Sequence, residues 1–97
     1  MKNYAFLQDT VAVVTGAAGT LCSEVARELA RHGARVALLG RTLTALEAVA
    51  AGIRAGGGIA LAVACDVTSP EAVERARAIV SRELGVCHFL LNGAGGN

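Results

Sequence analysis

The chain has 97 residues, enough for one small domain of helices packed on a sheet. Its residues are 54% hydrophobic, 18% charged and 3% aromatic, a balance that excludes a disordered chain and asks for a core of closely packed Ala, Val and Leu. A formal net charge of +1 supplies no basic stripe for nucleic acid or an anionic membrane, and the longest apolar run, Ile59 to Cys65, falls far short of the roughly 20 residues of a membrane span.

The opening residues MKNYAFLQDT lack the apolar core of a secretory signal. Cys22, Cys65 and Cys87 are odd in number, far apart and set in apolar segments without a C-x-x-C pair. That usage points to a reduced, cytoplasmic protein with no zinc site.

Thr10–Thr15 (TVAVVT) is short, β-branched and almost wholly apolar, the pattern of a strand buried on both faces of a parallel sheet. The turn Gly16–Gly19 follows. Leu21, Cys22, Val25, Ala26, Leu29 and Ala30 then recur at helical spacing up to His32, with Glu24, Arg27, Glu28 and Arg31 on the other face and Gly33 as the stop. Arg35–Leu39 is a second buried strand. The next helix opens at Thr42 or Thr44, the latter in capping-box spacing with Glu47; its stripe is Leu43, Leu46, Val49, Ala50 and Ile53, and Gly52 and Gly56–Gly58 end it. Ile59–Cys65 is the third strand. Ser69 caps a third helix with Pro70 at its first position; Val73, Ala76, Val80 and Leu84 face inward, and Gly85 stops it. Val86–Leu91 is the fourth strand, placing His88 in a buried position. It leads into Asn92-Gly93-Ala94-Gly95-Gly96-Asn97.

Strands joined by helices run parallel with right-handed crossovers. The order βαβαβαβ therefore predicts an α/β fold, a Rossmann-type doubly wound parallel sheet in the order 3-2-1-4. The chain stops on a strand-to-loop signal with no closing helix. It reads as a single partial dinucleotide-binding domain over residues 1–97, truncated before a catalytic segment.

Four strand ends carry chemistry. Gly16 suits a sharp turn after the first strand, Gly19 suits close backbone approach, and the following helix offers free N–H groups to a pyrophosphate. The plainer reading of the two glycines is an ordinary turn between strand and helix. At the end of the second strand, Gly40 and Arg41 stand where an acid would hold the ribose of NAD. A guanidinium there attracts a 2′-phosphate instead, although a solvated Arg at a helix start is the plainer reading. Asp66-Val67 ends the third strand beside the expected adenine position, where Asp66 also lies near a helix cap. Asn92-Gly93-Ala94-Gly95 ends the fourth, leaving room for a flat ribose–nicotinamide or simply forming a Gly-rich exit turn. His32 suits the last turn of its helix, and the cysteines are small apolar packers.

Taken together, these strand ends resemble the N-terminal cofactor half of the short-chain dehydrogenase/reductase family, which carries T-G-x-x-x-G-x-G, D-V and N-N-A-G at the matching places. Thr20 and Cys22 replace the second and third motif glycines, Gly93 replaces the second Asn, and His88 stands at the usual Asp of the fourth strand. The Leu21-Cys22 pair and the terminal Asn-Gly-Ala-Gly-Gly-Asn are similar to the D-mannonate oxidoreductase (fructuronate reductase) branch, whereas Gly40-Arg41 departs from the acid of an NAD-linked sugar-acid member. The resemblance implies that Gly16, Ala18, Gly19, Thr20 and Leu21 wrap the pyrophosphate and ribose. Arg41 and Thr42 would meet a 2′-phosphate, Asp66 and Val67 the adenine, and Asn92, Gly93, Ala94 and Gly95 the ribose and nicotinamide.

The resemblance further implies hydride transfer between NADP(H), preferred over NAD(H), and a small-molecule carbonyl/alcohol substrate, in a homo-oligomer, dimer or tetramer. The family's Ser and Tyr-x-x-x-Lys lie beyond the fourth strand. Here the one Tyr, Tyr4, follows the one Lys, Lys2. No catalytic residue and no metal ligand is therefore assigned, and these residues alone are expected to be inactive. A non-catalytic dinucleotide sensor on the same half-fold is the alternative. A methyltransferase-like domain would want an acid where Gly40 stands and gives no reason for Asn92 to Gly95.

Overall fold

The computed structural model describes residues 6–93. Its elements are β1 (Val11–Thr15), α1 (Thr20–Arg31), β2 (Arg35–Gly40), α2 (Leu43–Ala55), β3 (Ile59–Ala64), α3 (Pro70–Glu83) and β4 (Phe89–Asn92). The four strands form one parallel sheet in the order β3-β2-β1-β4, as expected. No helix among the described residues is long and apolar enough to cross a membrane.

All five residues of β1 are buried, because both faces of the sheet are covered. Alternate side chains feed two cores. Ala12, Val14, Val36 and Leu38 pack under α1 and α2 against Ala26, Leu46, Val49 and Ile53. Val11, Val13, Ala37 and Leu39 face Ala76 and Val80 of α3. The period of two in the strands and the helical stripes thus meet as the pattern demands.

Several boundaries differ from expectation. Thr42 is the residue before the first turn of α2, without a side-chain cap, so Thr44 lies within the helix and its capping box with Glu47 does not form. Gly52 sits inside α2 with only Arg27 near its open side, and the helix runs on to Ala55. Ser69 caps α3 as expected: its Oγ accepts from the Ala72 N–H at 3.2 Å. Leu21, Leu43 and Val73 were expected in apolar stripes but are exposed, Leu21 to 74%. Val73 lines an open cleft between α3 and β4.

The fourth strand begins at Phe89, not Val86, and all four of its residues are exposed. The His88 N–H donates to the Val11 carbonyl at 2.8 Å, while the buried strand's Val11 N–H donates to His88 Nδ1 at 3.0 Å. The ring nitrogen occupies the place of a main-chain acceptor, so the regular ladder starts one residue later. His88 is hydrogen-bonded as a core histidine would be, but its side chain lies on an exposed segment.

Candidate functional site

Register brings the strand ends to one edge. Thr15 pairs with Leu39 on one side and with Asn92 on the other, and Gly40 pairs with Ala64. The strand β1 lies between β2 and β4, the point where the sheet's connections diverge and where open α/β sheets bind ligands.

Gly16 has φ 64°, a left-handed conformation that strains any side chain and that a β-branched one avoids. Its carbonyl accepts from the Gly19 N–H at 3.1 Å, and the Ala17 N–H donates to the Leu39 carbonyl at 3.1 Å, tying the turn to β2. Gly19 then precedes α1 in an extended conformation, with no side-chain cap and no acid in the first turn. The helix therefore opens onto the edge with its N–H groups and partial positive charge uncovered by its own side chains. Ala18, Gly19, Thr20 and Leu21 are all exposed there. A bare, left-handed turn leading into an uncapped helix of 12 residues suits an anionic pyrophosphate.

On the other side of β1, the Thr15 hydroxyl donates to Asn92 Oδ1 at 2.9 Å and accepts from the Gly93 N–H at 3.0 Å. Asn92 braces the edge through this buried hydroxyl. In the sequence Thr15 is the end of the first strand and the Thr of the T-G-x-x-x-G-x-G pattern, with no site role assigned to it; the structure adds its bonds to Asn92 and Gly93. Gly93 comes close to α1: a Cβ there would collide with Cys22 Sγ and stand 3.0 Å from the Thr15 carbonyl oxygen. Ala94 and Gly95 lie outside the described residues.

Beyond β2, Arg41 Nη2 lies 3.7 Å from Asp66 Oδ1, bringing the expected phosphate-binding and adenine-binding residues side by side. The same Oδ1 accepts from the Thr68 hydroxyl at 2.7 Å and the Thr68 N–H at 3.0 Å. These two bonds, the hydroxyl's first, with the Arg41 charge as a smaller contribution, hold the Asp66 carboxyl below the usual carboxylate range. Thr68 was missed by sequence. Thr42 and Val67 are exposed beside the pair. Burial, with the neighbouring Asp66 charge, pushes the Cys65 thiol up. A cleft of about 620 Å³ runs from Thr15 and Asn92 along the sheet under α3, lined by Val67, Val73, Val86 and Leu90. The described residues contain no cluster of three or more His, Cys, Asp or Glu that could hold a metal.

The chain is 50% identical over 91 residues to the uncharacterized oxidoreductase UxuB of Bacillus subtilis, covering 94% of this chain and 33% of that protein. Among solved structures it superposes with a TM-score of 0.91 on a Haemophilus influenzae protein proposed as a D-mannonate oxidoreductase, solved with bound NAD, at 38% identity over 94% of this chain and 32% of that one. A metagenomic short-chain oxidoreductase in complex with NADP gives a TM-score of 0.81 at 38% identity, over 86% of this chain and 38% of that one. The chain spans about a third of the length of the curated relatives it matches. The profile of the short chain dehydrogenase family matches residues 10–97, from the approach to β1 through the Gly-rich segment after β4, and the chain belongs to that family.

Proposed function

We propose that this chain is the dinucleotide-binding portion of an oxidoreductase that moves hydride between a nicotinamide cofactor and a carbonyl/alcohol substrate. The observation that carries the reading is the left-handed Gly16 turn opening directly into the uncapped N-terminus of α1, next to the strand where the sheet's connections diverge. The similar proteins solved with NAD and with NADP support the cofactor class. Gly16, Ala18, Gly19, Thr20 and Leu21 wrap the pyrophosphate. Asp66 and Val67 flank the adenine, and Asn92, Gly93, Ala94 and Gly95 form the ribose and nicotinamide side. Arg41, exposed at the end of β2 with Thr42 beside it, favours the 2′-phosphate of NADP(H), while NAD(H) is accommodated.

The nicotinamide, when bound, supplies or accepts the hydride. This chain's residues bind the cofactor, orient it along the sheet edge and brace the Asn92 end through Thr15. The proton-transfer residues belong to a further segment of a longer, homo-oligomeric, cytoplasmic protein. The substrate class we favour is a sugar acid, in keeping with the D-mannonate relative. A non-catalytic sensor is less favoured, because the named relatives are oxidoreductases.

Fluorescence titration of NADPH and NADH onto the intact protein, followed by turnover assays on keto sugar acids, tests the reading. Binding of both, NADPH tighter, with turnover is the expected result. Binding of neither overturns it, and tight binding without turnover of any carbonyl or alcohol favours the sensor.

A further inference from the structure

Two of the positions where this chain departs from the family's motif pattern meet in space. Cys22 replaces a motif glycine in the first turn of α1, and Gly93 replaces a motif asparagine after β4. They are 71 positions apart in the chain, yet a Cβ on Gly93 would collide with Cys22 Sγ and lie 3.7 Å from Cys22 Cβ. Cys22 is half-buried and packs against the core beneath α1 and α2, so its thiol has little freedom to withdraw. Gly93 has little more: its N–H is held by the Thr15 hydroxyl at 3.0 Å, and the Thr15 carbonyl oxygen stands 3.0 Å from where the Cβ would be. Contacts of that kind force the neighbour or the backbone to shift.

We propose that Cys22 and Gly93 are an exchanged steric pair. The side-chain volume that a motif asparagine would place at position 93 is supplied instead by the thiol at position 22, and the pair sets the spacing between the first turn of α1 and the end of β4. The inference rests on the cofactor reading above. In that reading the two residues underlie the ribose–nicotinamide end, and they act as positioning residues. The exchange replaces an amide, with its donors and acceptor, by a weakly polar thiol over bare backbone. One side chain fits in this space; two do not.

A double-mutant cycle in the intact protein separates this from independent effects: Gly93→Asn, Cys22→Gly and the double variant, each followed by thermal melting and by titration with NADPH and with 2′-phospho-ADP-ribose, which lacks the nicotinamide. Gly93→Asn should lower Tm by about 5 °C or more. It should weaken NADPH about tenfold and leave 2′-phospho-ADP-ribose within about threefold. The double variant should recover most of both losses. Should Gly93→Asn fail to fold, Gly93→Ala with and without Cys22→Gly carries the same comparison. Additive losses in Tm overturn the pair. Equal losses for the two ligands overturn its position under the nicotinamide end. Coupling in Tm with no NADPH binding to the parent protein keeps the steric pair and overturns the cofactor reading.

Discussion

Replacing Arg41 by Ala removes the cation that separates the two nicotinamide cofactors in the proposed site. A hydrogen bond between a guanidinium and a phosphate contributes about 1.5–3 kcal/mol. Arg41 is 74% exposed, so screening and side-chain ordering place its contribution at the low end, an approximately tenfold loss of NADPH affinity. NADH, with no 2′-phosphate, should bind unchanged. Asp66 gives the counter-test. Its carboxylate sits 3.7 Å from the guanidinium, competes for it and repels the phosphate. Asp66→Asn should therefore raise the ratio of NADPH to NADH affinity even if both constants weaken through loss of adenine contacts. Isothermal titration of both cofactors against parent, Arg41→Ala and Asp66→Asn measures the two ratios. An Arg41→Ala protein that loses NADPH and NADH affinity equally would refute the assignment and return Arg41 to the role of a solvated residue at the start of α2.

Gly16→Val places a β-branched residue at φ 64° and should abolish binding of both cofactors; Gly16→Ala, strained by about 1 kcal/mol, should weaken it, and unchanged affinity in a folded Gly16→Val protein would remove the turn from the site. His88→Ala leaves the Val11 N–H without its acceptor and should cost about 1–2 kcal/mol in urea unfolding, whereas His88→Asp, restoring an acceptor, should recover most of it; equal losses would show that the ring packs and does not cap. Because the folded Asp66 carboxyl is held below its unfolded value of about 3.9, its contribution to stability is present above that pH and is lost as pH falls through the lower folded value. Thr68→Ala, which removes the hydroxyl donor, should flatten the fall in Tm on acidification below about pH 4, and an unchanged slope would rule out this hydrogen bond as the cause.

The alternation of strand and helix, and with it the sheet order, was legible because each segment's period agrees with the punctuation around it. Val11–Val14 is too short and too β-branched for a helix, and Ser69-Pro70 marks the start of α3. The features that escaped are contacts between residues distant in the chain. His88 shortens β4 through a ring nitrogen that pairs with a backbone 77 residues away, and no periodicity encodes that bond. Val73 fits the stripe of α3, but exposure depends on what lies across the cleft, which spacing along one helix does not report. In the site, the glycines and Arg41 were visible as departures from ordinary strand and helix composition. The bracing role of Thr15 and the bond from Thr68 to Asp66 were not, since a threonine is at home in strands and turns alike and nothing along the chain names its partner. The Arg41–Asp66 pairing needed the register of β2 against β3 before the two ends could be placed side by side.

The sheet order also sets a timetable for assembly. Its first-made strand, β1, is flanked by β2 within about the next twenty residues, but its other edge waits for β4, with Ala12 pairing to Phe89 and Thr15 to Asn92. At a synthesis rate of roughly 5–20 residues per second, that second edge of VAVVT stays unpaired for about 4–15 s while the intervening chain is made. Such long-range parallel pairing is slow even in a finished chain, since the loop must close before the contact rewards it. Of the interior strands of the sheet, the one that leads into the Gly16 turn is therefore left longest with an open apolar edge during translation.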